Sequence, residues 1–279
     1  SHPLKKSTKK MSNPASTQTY ETLKLTLLSP HILKLEMHRP EAANAFNTSM
    51  ASEMVRFFEA FSLNYGDCRV VILTGSSQKA FCAGGDLKER NGMTDAQWQA
   101  QHLIYERMVR AIMSCPVPII AAVNGAAYGG GCELAAMADF AYAAHHARFA
   151  QTEVKLGIIP GAGGTQNLAR AVGERRAKEL ILSGRVFSAE EALEWGLVNA
   201  VFEAETLLAE TQATAEQIAA NGPIAVRQAK QAITRGLQMS VADGLAFEIE
   251  AYNRTVPTKD RLEGVAAFNE KRVPKFNGN

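Results

Sequence analysis

Pro118-Ile119-Ile120-Ala121-Ala122-Val123-Asn124-Gly125-Ala126-Ala127-Tyr128-Gly129-Gly130-Gly131-Cys132-Glu133-Leu134-Ala135-Ala136-Met137 is the stretch on which the fold turns. Pro118 to Asn124 is a short apolar run of strand length, the pattern of a strand buried on both faces. Three glycines then open an apolar helix, Cys132 to Met137, that carries a carboxylate, Glu133. Such a group is costly to bury unless it is paired or catalytic. A second carboxylate, Glu153, lies twenty residues on, again followed by a glycine-rich turn, Gly161-Ala162-Gly163-Gly164. Upstream, Phe81-Cys82-Ala83-Gly84-Gly85-Asp86 supplies another such turn after an apolar strand. Exposed backbone N–H groups at these turns can hold an anionic oxygen. Two carboxylates facing one space suit chemistry that removes a proton at one atom and adds one at another. Together these features indicate proton chemistry beside an activated carbonyl.

Outward from this stretch, strands alternate with helices. Leu23, Leu25 and Leu27 face one way, as do Leu33, Leu35 and Met37, across a Ser29-Pro30-His31 turn, which predicts a hairpin. A helix is expected from about Thr48, with Thr48 as N-cap and Met50, Met54, Phe57 and Phe61 on its buried face. Arg69 to Thr74 reads as a buried strand, Thr94 to Ser114 as a long helix capped by Thr94, and Phe140 to Ala144 and Arg148 to Ala150 as short strands. The alternation predicts an α/β core running from residue 11 to about 200. Beyond it, Ser188 to Trp195, Glu203 to Ala220, Ile224 to Gly236, Val241 to Thr255 and Lys259 to Glu270 are helical in pattern, and residues 201–279 form a helical C-terminal region. Val241, Leu245, Ile249 and Tyr252 share one stripe there. No repeat is visible.

With 46% hydrophobic and 21% charged residues, the chain of 279 residues has the composition of a globular protein. Its formal charge of +2 includes Lys5, Lys6, Lys9 and Lys10, so the remainder carries −2. Met11 reads as a natural start and residues 1–10 as a remnant of an expression vector, with a transit peptide as the rival reading. Cys68, Cys82, Cys115 and Cys132 lack metal-ligand or redox spacing, which favours a reducing compartment. No stretch approaches membrane-span length. His38, His102, His145 and His146 have no partners at ligand spacing, so no metal is expected. Gly161-Ala162-Gly163-Gly164 follows Ile158-Ile159-Pro160 and lacks the context of a dinucleotide fingerprint.

Four segments in order carry a family resemblance: Lys34 to Pro40, Ala80 to Glu89, Ile120 to Gly125 with the two glutamate motifs, and Ala267 to Arg272. Covering essentially everything after residue 20, they make the chain similar to the crotonase superfamily, the enoyl-CoA hydratase/isomerase family. The resemblance implies a crotonase-like spiral of β-β-α units followed by a helical C-terminal trimerisation region, and a homotrimer or homohexamer. It implies an acyl-CoA thioester substrate whose oxygen lies between the N–H groups of Gly85 and Gly130, with no cofactor beyond the CoA of the substrate itself. By the same similarity, Glu153 delivers a proton to the α-carbon and Glu133 activates the water that adds at the β-carbon. Gly161 supports the water site, and Asp139 fixes neighbouring backbone. Ala83, Lys88, Phe268 and Lys271 match CoA contacts, the last two reaching the site of an adjacent subunit.

Retention of both carboxylates favours an enoyl-CoA hydratase over an isomerase. Met93, Trp98, Leu103 and Met108 supply bulk suited to a short acyl group. Asp86 to Arg90 and Pro257 to Gly264 resemble the methylglutaconyl-CoA hydratase branch of leucine degradation, where a distal carboxylate needs a clamp such as Lys88, Arg90 or a residue of another subunit. One protein of that branch binds AU-rich RNA through a lysine-rich helix. The matching helix here has Arg56 as its only base, against Glu53 and Glu59, so nucleic-acid binding is not expected. Neither is a membrane partner, and the cytoplasm is the expected location rather than the mitochondrial matrix.

Overall fold

The structure, a computed structural model, describes residues 18–279. The remnant assigned to residues 1–10 lies outside them. The chain opens with β1 (Leu23–Ser29) and β2 (Ile32–Met37), an antiparallel hairpin with Leu25 opposite Leu35. Helix α1 (Thr48–Leu63) buries Met50, Met54, Phe57 and Phe61. Its N-cap is Asn47, whose side chain accepts from the Met50 N–H; Thr48 is the first helical residue instead. Asn serves this position as well as Thr does, since its side-chain oxygen reaches the same free N–H groups. Glu53, buried on this helix, accepts from the Glu21 and Thr22 N–H groups and ties the start of β1 down.

Three β-β-α units follow. The first is β3 (Val70–Gly75), β4 (Ala80–Cys82), the short α2 (Leu87–Arg90) and the long α3 (Asp95–Met113), which packs on α1. Next come β5 (Ile119–Val123), β6 (Ala126–Tyr128) and α4 (Gly130–Met137). The last is β7 (Phe140–Ala144), β8 (Arg148–Ala150), a 3-10 turn over Glu153–Leu156, α5 (Gly164–Val172) and α6 (Glu174–Ser183). Each unit gives its first strand to a six-stranded sheet and its second to a four-stranded sheet, so the chain winds as a spiral between two stacked ladders. β9 (Phe187–Ser188) closes the small sheet antiparallel to β8. After α7 (Ala189–Trp195), β10 (Ala200–Phe202) adds the last parallel strand beside β7 in the large one. The repeat is therefore one of topology, and it leaves no trace in residue identity.

β3 and β5 are buried at every position because the large sheet is covered on both faces. Val71, Leu73, Ile119 and Ala121 point into the main core with α1 and α3, whereas Val70, Ile72, Ile120 and Ala122 point to a second core. That second core is closed by Leu207, Ala215 and Ala219 of α8 (Leu207–Ala219). Helix α8 thus packs on the large sheet, and α9 (Pro223–Gly236), α10 (Val241–Asn253) and α11 (Lys259–Asn269) follow it. Lys230 anchors α9 to the core, its ammonium 2.7 Å from Asp139 and 3.0 Å from the Val117 carbonyl. Arg69 donates to the Ala219 and Phe276 carbonyls, at 2.7 and 2.8 Å, and so joins the sheet to the C-terminal tail.

Candidate active site

The spiral leaves a cavity of about 890 Å³ between α3, the α4 N-terminus and the Glu153 turn. Ala83, Gly85, Gly130, Glu133, Glu153 and Gly161 all line it. Sequence-distant turns meet here because β4, β6 and β8 lie side by side in the small sheet and end at the same edge.

Glu133 sits in the first turn of α4 and is 3% exposed. One of its oxygens, Oε1, accepts from the Ala162 N–H at 2.9 Å and the Gly164 N–H at 2.8 Å. Glu153, 8% exposed, starts the 3-10 turn, and its Oε2 is buried without a hydrogen-bond partner among the described residues. Burial raises the pKa of both carboxyls. Glu133 is pushed up to about 7 by desolvation and by the charge of Glu153, against the opposing pull of its two N–H donors. The Glu153 carboxyl is raised chiefly by desolvation. The two N–H donors favour the charged form of Glu133, whereas no donor meets Glu153 Oε2 among the described residues.

The two expected oxyanion donors are held differently. Gly85 is bridged to Phe46: the Phe46 N–H donates to the Gly84 carbonyl at 2.9 Å and the Asp86 N–H to the Phe46 carbonyl at 3.0 Å. Since N–H directions alternate along extended chain, Gly85's own N–H turns away from Phe46. Asp86 locks this turn by capping α2 and pairing with Arg39 at 3.1 Å. Gly130 is the first residue of α4, where N–H groups have no intrahelical acceptor and the helix dipole favours negative charge. The two turns abut so tightly that a Cβ on Gly84 would stand 3.0 Å from the Gly130 nitrogen. A Cβ on Gly130 itself would come within 2.2 Å of the Phe46 ring.

Other expected residues lie elsewhere. Asp139 does not line the cavity; it accepts from the Ile119 N–H at 2.7 Å and pairs with Lys230, so it fixes backbone behind the site. Lys88 is exposed on α2, and Phe268, 84% exposed, and Lys271 lie at the end of α11, none of them on the cavity wall of their own protomer. Trp98 and Leu103 reach the cavity, whereas Met108 is buried in the main core and Met93 is not on the wall. Sequence reasoning missed His102, whose Nε2 stands so close to Gly161 that a Cβ there would be 2.3 Å away. It also missed Phe46 and Tyr105, which pack edge to face with ring centroids 5.0 Å apart. Among the described residues no group of three His, Cys, Asp or Glu side chains is placed to hold a metal ion.

Two buried carboxyls and the Gly85 and Gly130 turns thus line one cavity of a two-sheet spiral. The enoyl-CoA hydratase/isomerase family model matches residues 29–279, and the chain belongs to that family. It is 44% identical to the enoyl-CoA hydratase/isomerase YngF of Bacillus subtilis over 258 residues, covering 92% of this chain and 99% of that one. It is 42% identical to a short-chain-enoyl-CoA hydratase of Clostridium acetobutylicum, over 85% of this chain and 90% of that one. Among solved structures, the enoyl-CoA hydratase of Bacillus anthracis superposes with a TM-score of 0.91 at 44% identity, covering 93% of this chain and all of that one.

Proposed function

We propose that the protein adds water reversibly across the double bond of a short trans-2-enoyl-CoA to give a 3-hydroxyacyl-CoA. The observation that carries this reading is the buried pair Glu133 and Glu153 on the same cavity as the N–H groups of Gly85 and Gly130. The thioester oxygen accepts from both N–H groups. As the water oxygen bonds to the β-carbon, the electrons of the double bond shift through the α-carbon to the thioester oxygen, and the enolate charge develops there, at the α4 N-terminus. Glu133 takes a proton from the water and Glu153 gives one to the α-carbon, so the pair exchanges roles without net proton change. The N–H of Gly161, on the same wall, helps to hold the water. Both carboxyls act from one cavity, which supports syn addition and favours hydration over isomerisation, for which one proton shuttle suffices.

CoA is held by main-chain groups near Ala83, by Lys88, and by Phe268 and Lys271 of an adjacent subunit in a trimer or hexamer. The apolar stripe left exposed on α10 supports such an assembly. Four free cysteines, all buried, with thiol pKa values pushed up to about 11 for Cys115 and about 12 for Cys68, Cys82 and Cys132, support a reducing setting such as the cytoplasm.

The test is loss of the conjugated thioester absorbance of crotonyl-CoA. Glu133→Gln or Glu153→Gln is expected to lower kcat by about 10²–10⁴-fold and to change KM less, because each group acts mainly in the transition state. Undiminished turnover in the double variant would falsify the assignment.

A further inference from the structure

His102 stands on the cavity wall, and the hydration chemistry leaves it without a task. It lies on α3 one helical turn before Glu106, whose carboxylate is 3.9 Å from His102 Nδ1. Tyr105 meets the ring edge-on, with centroids 6.2 Å apart, and is itself fixed by its hydroxyl, which donates to the Phe46 carbonyl at 3.2 Å. So held, the imidazole presents its other nitrogen to Gly161. A Cβ on Gly161 would be 2.3 Å from Nε2, against 3.1 and 3.4 Å from the two neighbouring ring carbons. Nε2 is therefore the ring atom that touches Gly161, and the missing Cβ is what lets it come so close. Among the described residues Nε2 has no hydrogen-bond partner.

The same glycine leads to Glu133. The N–H of the next residue, Ala162, donates to Glu133 Oε1 at 2.9 Å. A water resting on the Gly161 N–H is thus close to both Glu133 and His102. That water has two lone pairs and two protons to place. One lone pair accepts from Gly161 and the other faces the β-carbon, while one proton goes to Glu133. The second proton needs an acceptor, or the water turns freely about its bond to Glu133 and loses its line of attack. Glu153 is occupied with the α-carbon. A neutral imidazole offers one bare nitrogen, and the Glu106 carboxylate beside Nδ1 favours the tautomer protonated there, which leaves Nε2 as the acceptor.

We propose that His102 is a water-positioning residue: its Nε2 accepts the proton that stays on the water oxygen and becomes the hydroxyl of the product, while Glu133 takes the other. This rests on the reading of the cavity as a hydratase site. No bond to His102 is made or broken and its charge does not change. A ring that only filled the space against Gly161 would be replaceable by any apolar side chain of similar size.

Exchange of the α-protons of a saturated ester separates the two roles, because it needs Glu153 and the oxyanion turns but no attacking water. The full chain is compared as wild type, His102→Leu, His102→Ala and His102→Gln in two assays. One follows hydration of crotonyl-CoA, and the other follows deuterium entering the α-position of butyryl-CoA in D2O by mass spectrometry. His102→Leu and His102→Ala should lower kcat for hydration about 10²-fold with far less change in KM, and slow the exchange by less than about 3-fold. His102→Gln, whose amide oxygen reaches the place of Nε2, should recover most of the loss. Hydration and exchange falling together overturns the proposal, because that is the signature of a packing role, and so does undiminished hydration in either apolar variant. His102→Ala adds no bulk, so it decides the matter even if leucine is not accommodated against Gly161. A wild type that exchanges the α-proton but hydrates no enoyl ester overturns the hydration reading and this proposal with it, whereas parallel losses overturn this proposal alone.

Discussion

Glu133 directs one oxygen at two backbone N–H groups, while Glu153 has an oxygen buried without a partner among the described residues, and on the proposed mechanism that asymmetry divides their labour. It also has a consequence for stability. In the unfolded chain a glutamate titrates near pH 4.3. In the fold the Glu133 carboxyl is held up to about 7, chiefly by desolvation. A group whose folded pKa is raised lends stability in its protonated form, and that stability is lost as pH rises from the unfolded value through the folded one. Glu133→Gln stays neutral throughout and its amide oxygen can still accept from Ala162 and Gly164. We therefore predict that Glu133→Gln, though inactive, gains stability relative to the wild type as pH rises from about 4 to 7, with a plateau above. The plateau is on the order of 3 kcal/mol at 1.36 kcal/mol per pH unit. Thermal or urea unfolding across that range checks it; a gap that narrows with rising pH would sink the idea. Glu133 was legible as a candidate because a carboxylate in an apolar run is conspicuous, and the structure brings it and Glu153 to one cavity, while the roles proposed for the pair come from the family resemblance. His102 was not legible in this way, since helical spacing does not say which face of α3 will meet a cavity.

At the scale of elements, the α4 N-terminus is where packing and chemistry coincide. Gly131 cannot carry a side chain at all, because a Cβ would lie 1.9 Å from the Cys82 carbonyl oxygen of β4. At Gly130 the obstacle is the Phe46 ring instead, which can be trimmed. This separates sterics from hydrogen bonding. Gly130→Ala is expected to lose turnover by displacing the ring or the helix start, and Phe46→Leu in the same chain to restore part of it. Gly130→Pro lacks the N–H and should remain down by about 10²–10³-fold with or without Phe46→Leu. Rescue of the proline variant by Phe46→Leu would remove the Gly130 N–H from the oxyanion role. Elements with a clear local signal were readable from sequence, among them Phe140–Ala144 and the Thr94-capped α3. α5 and α6 were not, because Gly164–Val172 and Glu174–Ser183 are largely polar and surface-lying and present only short apolar stripes. β4, β6 and β9, of three residues or fewer, are defined by pairing partners rather than by any local period.

At the scale of the molecule, the C-terminal helices pose a burial problem that one chain leaves unsolved. Val241, Leu245, Ile249 and Tyr252 are 80, 56, 55 and 64% exposed, and they form the stripe read from the sequence on α10. Ile233 and Leu237 on and after α9 are exposed too, at 63 and 84%. A contiguous apolar face of this kind marks an association surface. Phe268 stands out from the end of α11, and Lys271 beyond it takes a left-handed conformation, φ 56°, more often filled by glycine at a helix end. Both are free to serve a neighbour and neither reaches its own cavity. Sedimentation at assay concentration should therefore find a trimer or hexamer, and Leu245→Glu with Ile249→Glu should dissociate it by placing charge in the contact. Lys271→Ala should raise KM for CoA esters more than it lowers kcat, since a nucleotide phosphate is remote from the reacting carbons. The wild-type advantage should shrink as salt rises toward 1 M, where screening acts over about 3 Å. A monomer with full activity would refute the shared site, because Phe268 and Lys271 would then have no cavity within reach to serve.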